Sequence, residues 1–121
     1  MAEALTVTLF RPVGQREMDL IRESAMTAFP PRLPEQPIFY PVTNQQYAEK
    51  IACDWNTKDE RSGFAGYVLK FVIDAEYLSQ FPLRQVGDRE HTEYWIPAER
   101  LEEFNRHIDG KIEVVNVYRR D

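Results

Sequence analysis

The sequence is poor in the residues that usually mark a chemical site. Cys53 is the only cysteine, so no intrachain disulfide can form, and a reducing cytoplasm is the compartment this composition fits. Its neighbours Ala48, Ile51 and Ala52 place the thiol on an expected inner helix face, as an inert buried group. The two histidines, His91 and His107, fall in different predicted elements, and with one cysteine they make no zinc-ligand spacing. Five glycines form neither a phosphate-cradling loop nor a nucleophile elbow. Metalloenzyme, nucleoside triphosphatase and serine hydrolase readings therefore rank low. No apolar run is long enough to cross a bilayer. The opening MAEALTVTLF carries Glu3 where a secretory signal needs positive charge. The expectation is a cytoplasmic protein with no membrane partner. Fifteen Lys and Arg against 20 Asp and Glu give a net charge of -5, which lacks the broad basic footprint that holds a nucleic acid by counterion release. A local cluster of Arg11, Arg32 and Lys58 stays open.

What is present is an ordinary globular balance, with 43% apolar and 29% charged residues. At 121 residues the chain supports one core, so residues 1–121 are read as a single α+β domain. ALTVTLF, residues 4–10, reads as a first strand stopped by Pro12 and Gly14. Met18, Ile21 and Ala25 recur at helical spacing and predict an amphipathic helix over 15–27. FPPRLPEQP, residues 29–37, has four prolines in nine residues and must be an extended loop. IFYPV is a short strand limited by Pro41. Thr43 and Gln46 have the spacing of a capping box, opening a helix over 44–55 with Tyr47, Ala48, Ile51, Ala52 and Trp55 inward. Asn56 suits the cap at its end. NTKDERSGFAG is a polar loop. Residues 66–73 alternate most strongly and predict the central strand. Asp74 caps a short helical turn. FPLRQVG and HTEYWIP are extended. Pro97 opens a helix over 98–108 whose Leu101, Phe104 and Ile108 stripe ends at Gly110, and KIEVVNVY closes the fold as a strand. Uneven helix lengths and varied connections argue against a doubly wound parallel sheet.

Chemistry then has to come from polar residues at strand ends. Arg11 follows the first strand, Tyr40 the second, and His91 and Glu93 lie around HTEYW. An arginine fork can grip a diphosphate, an aromatic ring can stack on a flat heterocycle, and a carboxylate can hold a ribose hydroxyl and stabilise a cationic sugar transition state. Each has a structural alternative: a surface ion pair for Arg11, a core ring for Tyr40, the solvent side of a strand for Glu93, a loop position for His91.

The strings TLFRPVG, FPPRLPEQPIFYPVTNQQYAEKIACDWNTKDERSG and EHTEYWIPAERLEEFNRHIDGKIEV resemble a family of small bacterial proteins labelled "ADP-ribosylation/crystallin J1", over nearly the whole chain. ADP-ribosylglycohydrolases, from which that label borrows, are longer, helical and metal-dependent, and no Asp-rich metal site is visible here. A second resemblance is to ADP-ribosyltransferases, whose split β-sheet carries an Arg or His on the first strand, a Tyr or Ser on a middle strand and a late Glu. Arg11, Tyr40 and Glu93 match that order, while His91 stands where many such enzymes carry a second Glu or Gln. The resemblance implies an ADP-ribosyltransferase-like α+β fold with about three packed helices and NAD as substrate. It makes Glu93 the catalytic residue, with Arg11, Tyr40, Thr43 and His91 as NAD contacts and an acceptor of unspecified kind. The alternative is a non-catalytic module that binds a nucleotide or a protein partner, as part of a toxin or regulator.

Overall fold

Strand alternation and proline placement account for most of the architecture. The computed structural model describes residues 5–86 and 91–120. β1 (Thr6–Val13), β3 (Ala65–Asp74) and β7 (Ile108–Arg119) form an antiparallel sheet in the order β1-β3-β7. The alternating run of residues 66–73 is thus the central strand. Tyr67, Leu69, Phe71 and Ile73 enter the main core, while Val68 faces the opposite side. Central position explains why both faces of this run are apolar at its start.

One sheet face is covered by α1 (Gln15–Glu23), α3 (Ala75–Leu78) and α4 (Leu101–Arg106). Met18 and Ile21 from α1 and Leu101 and Phe104 from α4 are fully buried there. Phe29, Phe39, Phe71 and Phe104 meet edge-on or tilted, with ring centroids 4.9–6.0 Å apart, and fill this core. α2 (Gln45–Asp54) covers the other face. Gly66 makes that approach possible, because a Cβ there would lie 2.6 Å from the Ala52 carbonyl oxygen.

Two short ribbons complete the domain: β2 (Ile38–Phe39) with β6 (Ile96–Pro97), and β4 (Leu83–Gln85) with β5 (Thr92–Tyr94). Val42 stitches the second ribbon to the sheet. Its N–H and C=O exchange hydrogen bonds with Phe10 at 2.8 and 2.9 Å, and it also bridges to Glu93. Every named strand pair is antiparallel. The single α+β domain is as expected, with a sheet split into pieces and a fourth, one-turn helix.

Several local expectations need correction. The first helix ends at Glu23 because Ala25 and Met26 turn left-handed (φ 63° each), and the Ser24 hydroxyl accepts from the N–H groups of Thr27 and Ala28 to hold the turn. Ala4, in the predicted first strand, lies outside the described residues. α2 is capped by Asn44, whose side-chain oxygen accepts from Tyr47 N–H at 2.7 Å, and not by Thr43. Cys53 is exposed, since Ala48 and Ala52 alone face the sheet fully buried. Trp55 is 66% exposed and is not part of either core cluster among the described residues. Gly110 does not close a helix; it sits inside β7 with φ 79°, in the part of the strand where its register with β3 shifts.

Candidate functional site

Proline and sheet register bring distant residues to one edge. Phe10, Val42 and Glu93 lie side by side through the Val42 bridges. Pro41 carbonyl accepts from Tyr94 N–H at 2.9 Å, which fixes the segment carrying Tyr40 beside β5. An open cleft of about 990 Å³ lies at this edge, and Arg11, Tyr40 and Glu93 all line it. Its walls come from the end of β1 and the start of α1, the proline-rich loop with Arg32, and the 55–62 segment with Trp55, Asn56 and Arg61. A volume near the top of the range for small-molecule sites suits a ligand as large as a dinucleotide. Tyr40 is 37% exposed, and with Trp55 it offers flat apolar surface at the rim.

Arg11 is buried, which an isolated guanidinium would not tolerate. Glu17, in the first turn of α1, resolves this: Arg11 Nε donates to Oε2 at 2.7 Å and Nη2 to Oε1 at 3.0 Å. Nη1 donates at 3.4 Å to the Tyr40 carbonyl, and the guanidinium lies 4.6 Å from the centre of the Phe39 ring. The fork that could have held a ligand's diphosphate is therefore closed on an internal carboxylate. Arg32 also approaches Glu17, its Nη1 3.7 Å from Oε1.

Glu93 comes to the cleft from the α2 side of the sheet edge. Its Oε1 accepts from the Trp95 indole N–H at 2.9 Å and its Oε2 from the Tyr47 hydroxyl at 3.3 Å. Burial, then the Glu93 charge and the hydrogen bond to it, hold the Tyr47 hydroxyl above the usual tyrosine pKa. Tyr47 is consequently a proton donor to Glu93 at neutral pH. The two donors fix the carboxylate's orientation while leaving each oxygen a further lone pair.

Of the five residues singled out from the sequence, Arg11, Tyr40 and Glu93 share the cleft, whereas Thr43 and His91 are not among its lining residues. Thr43 ties α2 to β5: its N–H donates to the Thr92 carbonyl at 3.1 Å and its hydroxyl hydrogen-bonds the Thr92 hydroxyl. His91 stacks on Tyr47, ring centroids 4.3 Å apart and 8° from parallel, and so supports the residue that orients Glu93. Asn56 is buried in place of capping α2; its Nδ2 donates to Ser62 Oγ at 2.9 Å. Sequence reading passed over Glu17 and Trp95. Glu17 six residues after Arg11, in the first turn of a predicted helix, was a usable signal for the ion pair. Trp95 two residues after Glu93, on the same side of an extended segment, was the signal for the second donor.

No family model, curated protein or solved structure matches the chain. Among the described residues, no group of three or more His, Cys, Asp or Glu could hold a metal ion, and no helix is long and apolar enough to cross a membrane.

Proposed function

We propose that the cleft binds NAD and that the protein is an ADP-ribosyltransferase-like enzyme with Glu93 as its catalytic carboxylate. The observation that carries this reading is the arrival of Arg11, Tyr40 and Glu93, from β1, the segment after β2, and β5, on the wall of one dinucleotide-sized cleft. In this reading Tyr40 lies against the nicotinamide ring and Trp55 offers a second stacking surface. Glu93, oriented by Trp95 and Tyr47, accepts a ribose hydroxyl and stabilises the oxocarbenium character that develops as the nicotinamide bond breaks. The acceptor of the ADP-ribosyl group is left open. Arg11 acts through Glu17 to set the cleft floor.

One observation favours a second reading, a non-catalytic nucleotide-binding module: both Glu93 oxygens and both Glu17 oxygens already take hydrogen bonds from the protein itself. Calorimetric titration with NAD, ADP-ribose and a single-stranded oligonucleotide tests what both readings share. NAD and ADP-ribose should bind and the oligonucleotide should not. Absence of NAD binding by the wild-type protein would remove the proposal.

A further inference from the structure

Two cations in this cleft share one anion. Glu17 gives both oxygens to Arg11, at 2.7 and 3.0 Å. Arg32 Nη1 stands 3.7 Å from the nearer Glu17 oxygen, an ion-pair distance too long for a hydrogen bond. The Arg32 side chain is only 11% exposed, and its Nε is sealed from solvent with no acceptor among the described residues. Other acids on the wall have different commitments. Asp59 accepts from the Ser62 hydroxyl and the Arg61 N–H, Glu93 accepts from Tyr47 and Trp95, and Glu35 is exposed on the loop. Burial first, then the neighbouring Arg11 charge, pull the Arg32 pKa below the usual arginine value. A guanidinium still cannot shed its proton near neutrality, so titration does not relieve the imbalance. An added anion does.

We propose that Arg32 is the anion-binding residue of the cleft and that it takes a diphosphate, while Arg11 stays locked on Glu17 as a positioning partner. A planar fork with unused donors matches phosphate oxygens in a way a single ammonium does not. Both guanidiniums lie over the Phe39 ring, Arg11 at 4.6 Å and Arg32 at 6.0 Å, which gives the subsite a rigid apolar floor. Pro30, Pro31 and Pro34 restrict the backbone on either side of Arg32, so little conformational freedom is left to lose on binding. The identity of the diphosphate as that of a dinucleotide rests on the NAD reading; the subsite itself rests on the one carboxylate that Arg32 shares with Arg11 and on the 3.7 Å separation that leaves Arg32 Nη1 without a hydrogen bond to it.

The test is calorimetry at fixed ionic strength on the full chain, with inorganic pyrophosphate and with NAD as separate probes. Wild type should bind both. Arg32→Gln should weaken pyrophosphate by about 10–100-fold, the loss of charged hydrogen bonds. Arg32→Lys, which keeps the charge and serves if the glutamine variant does not fold, should recover only part of the affinity. Arg106→Gln, on an exposed helix face outside the cleft, should stay within about twofold. Failure of wild type to bind pyrophosphate at millimolar concentration overturns the proposal, as does full affinity in Arg32→Lys or an equal loss in Arg106→Gln. Pyrophosphate binding that depends on Arg32 in a protein that ignores NAD keeps the subsite and rejects the NAD reading. NAD binding indifferent to Arg32 does the reverse.

Discussion

Removing the Glu17 carboxylate should be the most damaging single change at the cleft. Arg11 is 7% exposed, and without Glu17 its one remaining hydrogen bond among the described residues is the 3.4 Å contact to the Tyr40 carbonyl. Breaking a buried ion pair from one side costs about 3–5 kcal/mol, because the surviving charge is left uncompensated. Glu17 is itself 20% exposed, so water can enter the gap and the lower end, about 3 kcal/mol, is expected for Glu17→Ala. Arg32 loses its ion-pair partner among the described residues in the same substitution, which works against any recovery. In urea denaturation, with a slope of about 1.5 kcal/mol/M, the midpoint should fall by about 2 M. Arg11→Met combined with Glu17→Met removes both charges and keeps apolar volume over Phe39. That double variant should lie well above Glu17→Ala, within about 1–2 kcal/mol of wild type. A loss under about 0.5 kcal/mol in Glu17→Ala, or simple additivity of the two methionine substitutions, would refute the claim that a buried pair organises this edge.

Two further outcomes follow from side-chain placement. The Tyr77 hydroxyl is buried with no hydrogen-bond partner among the described residues, and burial, with help from the Glu103 carboxylate, pushes its pKa up to about 12. Unfolded tyrosine ionises near pH 10, so between pH 10 and 12 the unfolded state releases the proton first and stability falls as pH rises. Tyr77→Phe should be neutral or stabilising at pH 7 and should remove about 2 kcal/mol of that alkaline loss, read as the difference between the two proteins in denaturant melts across the window. Trp55→Ala should change stability by less than about 0.5 kcal/mol, since the ring is 66% exposed, yet weaken NAD by about 1–3 kcal/mol through lost stacking. Unchanged affinity by calorimetry would confine Trp55 to the surface.

Elements whose pattern is local were legible in the sequence. The alternation over 66–73 marked the central strand, the Met18 and Ile21 spacing marked α1, and Asp74 does cap α3 by accepting from the Tyr77 N–H. The proline-rich segment could only be a loop. Features set by partners far along the chain were not legible. Thr43 looked like a cap because nothing nearby reveals that Thr92 will claim its hydroxyl, leaving Asn44 to do the capping. Cys53 and Trp55 looked buried because a helical stripe gives the apolar side but not how wide a strip the sheet covers; α2 approaches closely where Ala52 meets Gly66, and Ala48 and Ala52 are its buried residues. At the site, strand-end positions suggested Arg11, Tyr40 and Glu93, and the structure brings them to one cleft through the Val42 bridges. That Arg11 is already spent on Glu17, and that Arg32 is not, depends on how α1 and the proline-rich loop pack over Phe39, which no local pattern encodes.

The central claim is that Glu93 is needed for the reaction and little needed for binding, and the direct measurement is nicotinamide release from NAD by wild type and Glu93→Gln, alongside NAD affinity. A group that acts mainly in the transition state can be lost with binding retained. Release should be seen with wild type, with or without a cell lysate to supply an acceptor. In Glu93→Gln it should fall about 10²–10³-fold, the usual effect of deleting one preorganised electrostatic group, while NAD affinity changes by less than about tenfold. Equal turnover in the two proteins, or no release by wild type under either condition, would contradict the account.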